Sequence, residues 1–235
     1  MSAFAIDLNA DLGEGYLNDA RLLELVTSAS VCCGAHAGDP ETIRATLAAA
    51  AARGVVIGAH PGYPDREDFG RRERVIDSAD VERLVFKQCV ALAALAAEFN
   101  LTLRFLKPHG ALYNQAQVEE GVARGVLAAA RRLGLPVLGQ PGGAIARLSK
   151  AGGTAFVAEG FPERRYQADG RLVPRSQPDA VLHDPEEIDA QVVRLLRQRL
   201  ETLCIHGDDV YALRKAENVR AVLSRNGVIV RFWGA

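Results

Sequence analysis

The sequence lacks the features that would bind it to nucleic acid or to a membrane. Its 28 lysines and arginines are balanced by 29 aspartates and glutamates, so the formal net charge is −1. Such a chain has no general electrostatic attraction to phosphate backbones or anionic lipids. It also has no apolar run of about 18 residues, the length that a membrane-spanning helix needs, and its first residues show no signal peptide. We therefore expect a soluble, cytoplasmic protein that binds neither nucleic acid nor membrane.

Cysteine is also scarce, with four residues in the chain. None of them forms a C-x-x-C pair, and their density is far below that of a disulfide-rich secreted domain. We interpret them as free, buried thiols of a reducing compartment. The rest of the composition, 49% hydrophobic and 24% charged, is typical of a globular protein. Without a linker or a low-complexity run, residues 1–235 are predicted to form one domain.

Short β-branched runs alternate with longer amphipathic runs along the whole chain. Strands are predicted at 3–8, 29–33, 55–59, 102–107, 136–139, 154–158, 202–206 and 227–232. Helices are predicted at 20–28, 40–53, 78–99, 117–133, 142–151, 185–199 and 209–225. Alternation of this kind predicts an α/β protein with a parallel sheet. Seven or eight units in this length favour a closed or nearly closed (β/α) barrel.

Residues typical of helix ends support these boundaries. Asp39 and Asp184 each precede a proline and an acidic residue, the pattern of an N-cap followed by a first turn. Gly54 and Gly134 follow predicted helices, where a glycine commonly ends the helix in a left-handed conformation.

Four of the five histidines lie at or just after the ends of predicted strands. His36, His60, His109 and His206 each stand beside or near a glycine or a proline. Because the carboxyl ends of parallel strands meet at one rim of a barrel, where such folds place their active sites, these side chains should lie together. His183, which precedes Asp184, is instead interpreted as part of a helix entry. The sequence thus predicts an enzyme with a polar site at this rim.

Charged side chains at the same rim extend the predicted site. Lys107 ends the fourth strand, where it could bind an anion or transfer a proton. Glu14 could act as an acid or cap a helix, and Asp208 could orient a histidine or cap the last helix. We assign the catalytic roles to Asp11, His60, Lys107 and His109.

Two long stretches, 60–77 and 159–180, exceed ordinary strand-to-helix connections, and loops of that length are usually functional. The second is rich in arginine, whose planar fork suits carboxylate or phosphate, and it could close over an anion as a lid. The candidate substrate-binding residues are Asn9, Glu14, His36, Arg66, Tyr113, Asn114, Glu159, Arg164, Tyr166, Arg175, His206 and Asp208.

Common catalytic motifs are absent. The chain has no G-x-x-x-x-G-K-[ST] phosphate loop, no G-x-S-x-G and no H-E-x-x-H. A divalent metal held by residues from neighbouring strand ends stays possible, because such ligands need not be adjacent in sequence. The candidate ligands are Asp11, His36 and His60.

Six ordered segments resemble the LamB/YcsF family. They are 6–15 (IDLNADLGEG), 33–39 (CGAHAGD), 57–66 (IGAHPGYPDR), 107–114 (KPHGALYN), 166–176 (YQADGRLVPRS) and 204–208 (CIHGD). The resemblance runs nearly end to end. It implies a distorted seven-stranded (β/α) barrel similar to polysaccharide deacetylases, so that one of the eight predicted strands lies outside the barrel. Two positions depart from the family pattern: Ala35 replaces a usual phenylalanine, and Glu163 replaces a common aspartate, which weakens any catalytic role for residue 163.

The resemblance also implies a reaction, since characterised members of the family serve as the A subunit of a bacterial ATP-dependent 5-oxoprolinase. That enzyme converts 5-oxo-L-proline to L-glutamate, with ATP as co-substrate and with the B and C subunits as partners. The absence of a phosphate loop fits a chain that leaves nucleotide handling at least partly to those partners. Two alternatives stay open: a metal-dependent hydrolase, and a non-catalytic subunit that binds the lactam. Assembly into a homo-oligomer is also open.

Overall fold

The computed structural model describes residues 4–175 and 177–234. Its strands are β1 (Ala5–Leu12), β2 (Ser28–Cys32), β3 (Val56–His60), β4 (Leu103–Leu106), β5 (Val137–Gly139), β6 (Phe156–Gly160), β7 (Thr202–His206) and β8 (Ile229–Val230). Its helices are α1 (Asp19–Leu22), α2 (Pro40–Arg53), α3 (Ser78–Ala97), α4 (Gly110–Val118), α5 (Glu120–Leu133), α6 (Ala144–Gly152), α7 (Pro185–Leu196) and α8 (Ala212–Arg225). None of the helices in these ranges is long and apolar enough to cross a lipid bilayer.

Seven parallel strands close into a ring in the order β2-β3-β4-β5-β6-β7-β1, and β1 pairs again with β2. The eighth strand pairs only with the beginning of β1, through Ala5–Ile229 and Ile6–Val230, and stays outside the ring. The ring is distorted, because the register shifts between β3 and β4 and because β4 meets β5 through a single residue pair. These features confirm the prediction of a distorted seven-stranded (β/α) barrel with one strand outside it.

The interior of the barrel is polar. Side chains of β1 alternate between the two faces, as in any strand. The carboxylates of Asp7 and Asp11 and the amide of Asn9 point inward, while Leu8 and Leu12 are fully buried on the other face, among the apolar residues of the core. Each inward polar group is held by a partner from another strand, which makes its burial tolerable. The barrel therefore carries a column of polar contacts that leads up to its carboxyl rim.

The same polar column explains why the first strand is longer than predicted. The sequence predicts a strand at 3–8, whereas β1 runs from Ala5 to Leu12, and residue 3 lies outside the described residues. Polar side chains such as Asn9 and Asp11 are typical of a loop, but here they pair inside the barrel. Both therefore belong to the strand itself.

Other boundaries also need correction. The helix predicted at 20–28 ends at Leu22, because the chain turns and enters β2 at Ser28. The helix predicted at 117–133 is two helices, α4 and α5, which break at the extended residue Glu119 (φ −97°, ψ 110°). The strand predicted at 227–232 contracts to the two residues of β8, and the helix predicted at 209–225 begins at Ala212. The predicted helix 40–53 and the predicted strand 202–206 are confirmed at both ends, and the remaining boundaries shift by at most three residues.

The predicted helix ends are confirmed. The side chain of Asp39 accepts a hydrogen bond from the Thr42 amide at 2.7 Å, and Asp184 caps α7 in the same way. Gly54 and Gly134 both adopt the left-handed conformation that ends α2 and α5. These caps set the length of the loops that follow each strand and so fix the positions of the rim residues.

Candidate active site

A cavity of about 770 Å³ opens at the carboxyl end of the barrel. Its floor is formed by side chains from β1, β3, β7 and the end of β4, and the loops 61–77 and 161–184 flank it. The catalytic candidates Asp11, His60, Lys107 and His109 all line this cavity, together with His206. The structure therefore brings together the residues that the sequence places at the rim.

Lys107 lies at the floor of the cavity and is only 2% exposed. Its ammonium group is 2.8 Å from Asp11 Oδ1, 3.0 Å from Glu159 Oε1 and 2.8 Å from Cys204 Sγ. Burial lowers the pKa of Lys107, but the charges of its partners outweigh burial and raise that pKa well above the usual value. An ammonium group has three donors, and here all three have partners. The geometry thus assigns Lys107 to holding the two carboxylates in place, with no donor left for a substrate anion.

Glu159 and Asn9 lie beneath the cavity, inside the barrel. Asn9 donates hydrogen bonds to Glu159 Oε1 at 3.2 Å and to Thr202 Oγ1 at 2.7 Å. Burial raises the pKa of Glu159, and the charge of Lys107 counters this rise only in part. Neither Glu159 nor Asn9 lines the cavity, so both support the floor rather than face a bound molecule.

His60 and His109 stand side by side on the cavity wall. His60 Nδ1 is 2.8 Å from the carbonyl oxygen of Lys107, and His109 Nε2 is 2.8 Å from that of Phe69. A carbonyl only accepts, so these two ring nitrogens carry the hydrogens, an assignment made from their partners. Burial lowers the pKa of both imidazoles well below the usual value, so both are neutral near pH 7. His60 Nε2 also lies 3.4 Å from Asp11 Oδ2.

His36 and Glu14 lie behind this pair and do not line the cavity. The ring of His36 stacks on that of His109 with centroids 3.7 Å apart, and its Nε2 lies 3.2 Å from Glu14 Oε1. Burial lowers the pKa of His36 to about 3 and raises that of Glu14 well above its usual value. The alternative prediction that Glu14 caps a helix is wrong, because its side chain faces the histidines instead.

His206, which is partly exposed, pairs with the buried Glu163 on the opposite side of the cavity. Glu163 Oε1 is 2.5 Å from His206 Nδ1 and 3.0 Å from the backbone amide of the same residue. Burial raises the pKa of Glu163 to about 7 and lowers that of His206 well below its usual value. Because Nδ1 faces the glutamate, Nε2 is the nitrogen left toward the cavity, 3.9 Å from Asp11 Oδ2.

Glu163 is the residue that sequence reasoning undervalued. The family pattern commonly places an aspartate at this position, so a carboxylate here is the signal that the sequence offers. The side chain of Glu163 is one methylene longer than aspartate, which weakens that signal. In the structure Glu163 is fully buried, and its longer side chain reaches the imidazole of His206.

Arg71 and Arg175 converge on one carboxylate at the mouth of the cavity. Both donate to Oδ2 of Asp208, and the Arg175 bond measures 2.7 Å. In the described part of the chain neither guanidinium makes another hydrogen bond. Two guanidinium groups and one carboxylate leave a net positive charge, and the arginines keep further donors for an anion. Arg71 was not among the predicted site residues, although the loop that carries it was expected to be functional. The alternative interpretation of Asp208 as a helix cap is wrong, because the cap of α8 is Tyr211.

Three further predicted residues line the cavity: Tyr113, Asn114 and Arg164. The Tyr113 ring is buried against Phe161 in an edge-to-face arrangement. Arg164 donates to the carbonyl oxygens of Ala180 and Val173, so it holds the long loop in shape.

Two further predicted residues, Arg66 and Tyr166, also stay outside the cavity. Arg66 donates to the carbonyl oxygens of Gly34 and Gly38 and so joins two rim loops to each other. The hydroxyl of Tyr166 accepts a hydrogen bond from the Phe161 amide. Both side chains therefore shape the loops around the site, and their predicted contact with substrate remains a prediction.

The three proposed metal ligands are only partly brought together. His36 and His60 lie in one cluster with Glu14 and His109 whose ligand atoms are all within 4.8 Å of one another, whereas Asp11 contacts His60 but is not part of that cluster. All four cysteines are free thiols, and Cys204 contacts Lys107 in the floor.

A closed parallel barrel with a charged cavity at its carboxyl rim has the architecture of a (β/α)-barrel enzyme. Comparison with known proteins gives the family: the model of the LamB/YcsF family matches residues 6–234, and the chain belongs to this family. One relative, the A subunit of 5-oxoprolinase from Bordetella parapertussis, is 42% identical over 97% of this chain and 98% of its own length.

Comparison with solved structures agrees with the assignment of the chain to this family. The lactam utilization protein from Thermus thermophilus superposes with a TM-score of 0.88 at 37% identity, covering 97% of this chain and 99% of that protein. The catalytic domain of a peptidoglycan N-acetylglucosamine deacetylase from Eubacterium rectale gives a TM-score of 0.53 at 12% identity, over 97% of this chain and 87% of the domain. The similarity to the deacetylase domain is one of fold alone, and it confirms the expected resemblance to the fold of polysaccharide deacetylases.

Proposed function

We propose that this chain is the A subunit of an ATP-dependent 5-oxoprolinase, which opens 5-oxo-L-proline to L-glutamate together with the B and C subunits. The observation that carries the proposal is the near full-length match to relatives that are named as the A subunit of 5-oxoprolinase. The structural relative named as a lactam utilization protein supports the same class of substrate. The residues that face the cavity suit such a substrate.

The substrate is a small lactam that carries one carboxylate. The paired guanidinium groups of Arg71 and Arg175 form a site for that carboxylate or for a phosphoryl group. A cavity of about 770 Å³ is far larger than the lactam needs, which leaves room for a phosphorylated form. We therefore propose that this chain binds the lactam after, or while, ATP activates it.

The reaction needs two proton transfers. In the proposed sequence the γ-phosphoryl group of ATP moves to the lactam oxygen, and water then adds to the ring carbon. His206 Nε2 takes a proton from that water, with Glu163 holding the ring in the required tautomer. The same proton passes to the ring nitrogen as the carbon–nitrogen bond breaks, and the hydroxyl proton left on the adduct goes to the leaving amine as the carbonyl of the acyl phosphate forms. A second water then releases phosphate from that acyl phosphate.

An exposed apolar surface lies at the same rim. The loops that follow β1 and β7 carry apolar side chains in water: Leu17 is 100% exposed and Val210 is 82% exposed. Strands β1 and β7 are neighbours, so both loops leave the same edge of the barrel. We propose that this edge is covered by the B or the C subunit. The double variant L17S/V210S should then weaken assembly in size-exclusion chromatography, while V90S, an exposed change on helix α3, should not.

The test of the function is the release of glutamate from 5-oxoproline and ATP by the purified subunits, assayed together and with each one omitted. The proposal requires that omission of this chain abolish the release and that H206A reduce it by about 100-fold or more. The matched control is H183A, a change to the exposed histidine at the entry of α7. Binding of 5-oxoproline with an unchanged rate in H206A would favour the alternative of a non-catalytic, lactam-binding chain.

A further inference from the structure

Three acceptor atoms face one another in the wall of the cavity. His60 Nε2 and His109 Nδ1 are 2.9 Å apart, and Glu14 Oε1 lies 3.4 Å from the His109 atom and 3.8 Å from the His60 atom. Each imidazole already donates its other ring hydrogen to a backbone carbonyl. The two facing nitrogens therefore both present lone pairs, and the carboxylate adds a third acceptor. The ring nitrogen Nε2 of His36 also reaches this group, since it lies 3.2 Å from Glu14 Oε1.

The spacing of these atoms is that of ligands around one metal ion. Zinc–nitrogen bonds of about 2.0–2.1 Å in a tetrahedral site place neighbouring ligand atoms about 3.3–3.4 Å apart. The three distances found here, 2.9, 3.4 and 3.8 Å, are centred on that value. In addition, metal-bound histidines characteristically donate their second ring hydrogen to a carbonyl or carboxylate, as His60 and His109 both do.

Two nearby groups of side chains are less suitable as metal ligands. A second cluster, Asp11 with Cys204 and His206, is already occupied by a positive charge, since Lys107 Nζ lies 2.8 Å from both Asp11 Oδ1 and Cys204 Sγ. His36 lies next to Glu14, but its buried Nδ1 has no hydrogen-bond partner within the described residues. The ring is therefore held with its hydrogen on Nε2, where it donates to Glu14. His36 thus orients the carboxylate and is not itself a ligand.

We propose that Glu14, His60 and His109 form a binding site for one divalent first-row transition metal ion of the Zn²⁺ class. Two imidazoles and one carboxylate suit such ions better than Mg²⁺, which prefers oxygen ligands. His60 and His109 line the cavity, so the remaining coordination position opens toward a bound molecule, as in catalytic metal sites. The site differs from the ligand set predicted from sequence in two of three residues. The inference concerns binding alone and does not depend on the proposed lactam reaction.

The test is metal binding by the isolated full chain, stripped with a chelator and titrated with Zn²⁺ in a calorimeter, with Co²⁺ as a spectroscopic probe. The expected result is one ion per chain, a Co²⁺ absorption spectrum typical of four-coordination, and a rise in melting temperature on metal addition. Mg²⁺ should give none of these signals. E14Q, H60N and H109N should each weaken Zn²⁺ binding by about 100-fold or more, whereas H183N should bind as the wild type does.

Two outcomes would overturn the assignment. The first is a wild-type chain that binds no transition metal stoichiometrically, in which case a shared proton joins the two histidines. The second is a loss of Zn²⁺ binding as large in H36Q as in H60N. The amide of H36Q can still donate to Glu14 but is a poor Zn²⁺ ligand, so an equal loss would make His36 a ligand. Circular dichroism of each variant separates loss of the site from loss of the fold. None of these readouts measures glutamate release, so failure here leaves the proposed reaction standing.

Discussion

Glu163 holds His206 through two contacts at once, one to the ring nitrogen Nδ1 and one to the backbone amide of the same residue. A carboxylate in this position fixes both the tautomer and the direction of an imidazole. The nitrogen that remains, Nε2, faces the cavity. The pair therefore has the geometry of a positioned general base, although 43 residues separate its members.

Replacing Glu163 with glutamine should lower kcat strongly and leave folding largely intact. The amide keeps the size of the side chain but can present its donor to His206 and so favour the wrong tautomer. We expect a loss of about 100- to 10,000-fold in ATP-dependent glutamate release by the assembled subunits. E163D restores the carboxylate and should recover most of that loss. The control E187Q removes an exposed glutamate from the same region, and equal losses in E187Q and E163Q would contradict the assignment.

Removing either cavity arginine should weaken substrate binding more than turnover. Arg71 and Arg175 share Asp208 and keep donors for an anion, and a charged hydrogen bond contributes about 1.5–3 kcal/mol. R71M and R175M should therefore raise KM for 5-oxoproline about 10- to 100-fold, measured from initial rates. R165M is the matched control, because Arg165 pairs with Glu187 on the surface of the same loop. A fall in kcat with unchanged KM would argue that these arginines act on the transition state alone.

The rim of the barrel could be predicted from the sequence because its signal is local. A histidine beside glycine or proline after a β-branched run marks the end of a strand, and parallel strands end together. The length of β1 could not be predicted in this way. Asn9 is held by Glu159 and Thr202, which lie 150 and 193 residues away, so its burial depends on contacts that no local pattern reveals.

The roles of single side chains were harder to predict than their positions. Lys107 was placed correctly at the rim, yet its three donors are saturated by groups from three other strands. Arg66 shares a rim motif with His60 but turns away to bind loop carbonyls. Orientation of this kind follows from packing in three dimensions, whereas position along the chain follows from the strand pattern.

Lys107 should be essential for stability as well as for activity. K107M keeps a side chain of similar length but leaves Asp11 and Glu159 without their shared counter-charge inside the barrel. Breaking a buried ion pair costs about 3–5 kcal/mol, and we expect a loss of that size in the free energy of unfolding from guanidinium denaturation. K87M, on the exposed face of α3, should stay within about 0.5 kcal/mol of the wild type. In the double variant K107M/E159Q the loss should be smaller than in K107M, since one unpaired carboxylate has been removed.

Asp7 should make the protein less stable as the pH rises from about 4 to 7. Its carboxyl group is fully buried, and burial raises its pKa from 3.8 to about 6, although the hydroxyl groups of Thr202, Thr27 and Ser28 lower it in part. Between these two values the folded state binds a proton that the unfolded state has released. The stabilising contribution is thus complete below about pH 3.8 and is lost as the pH rises through 6, which amounts to about 3 kcal/mol.

The variant D7N removes this titration and keeps a polar group of the same shape. Its amide oxygen can accept from one hydroxyl group and its NH₂ can donate to another, since hydroxyl groups rotate. The measurement is guanidinium denaturation of wild type and D7N at several pH values between about 4 and 7. The unfolding free energy of the wild type minus that of D7N should fall by about 3 kcal/mol across this range, while D179N, a change to an exposed aspartate, should show no such trend. A wild-type-minus-D7N difference that stays constant with pH would mean that the three hydroxyl groups keep Asp7 ionised inside the barrel.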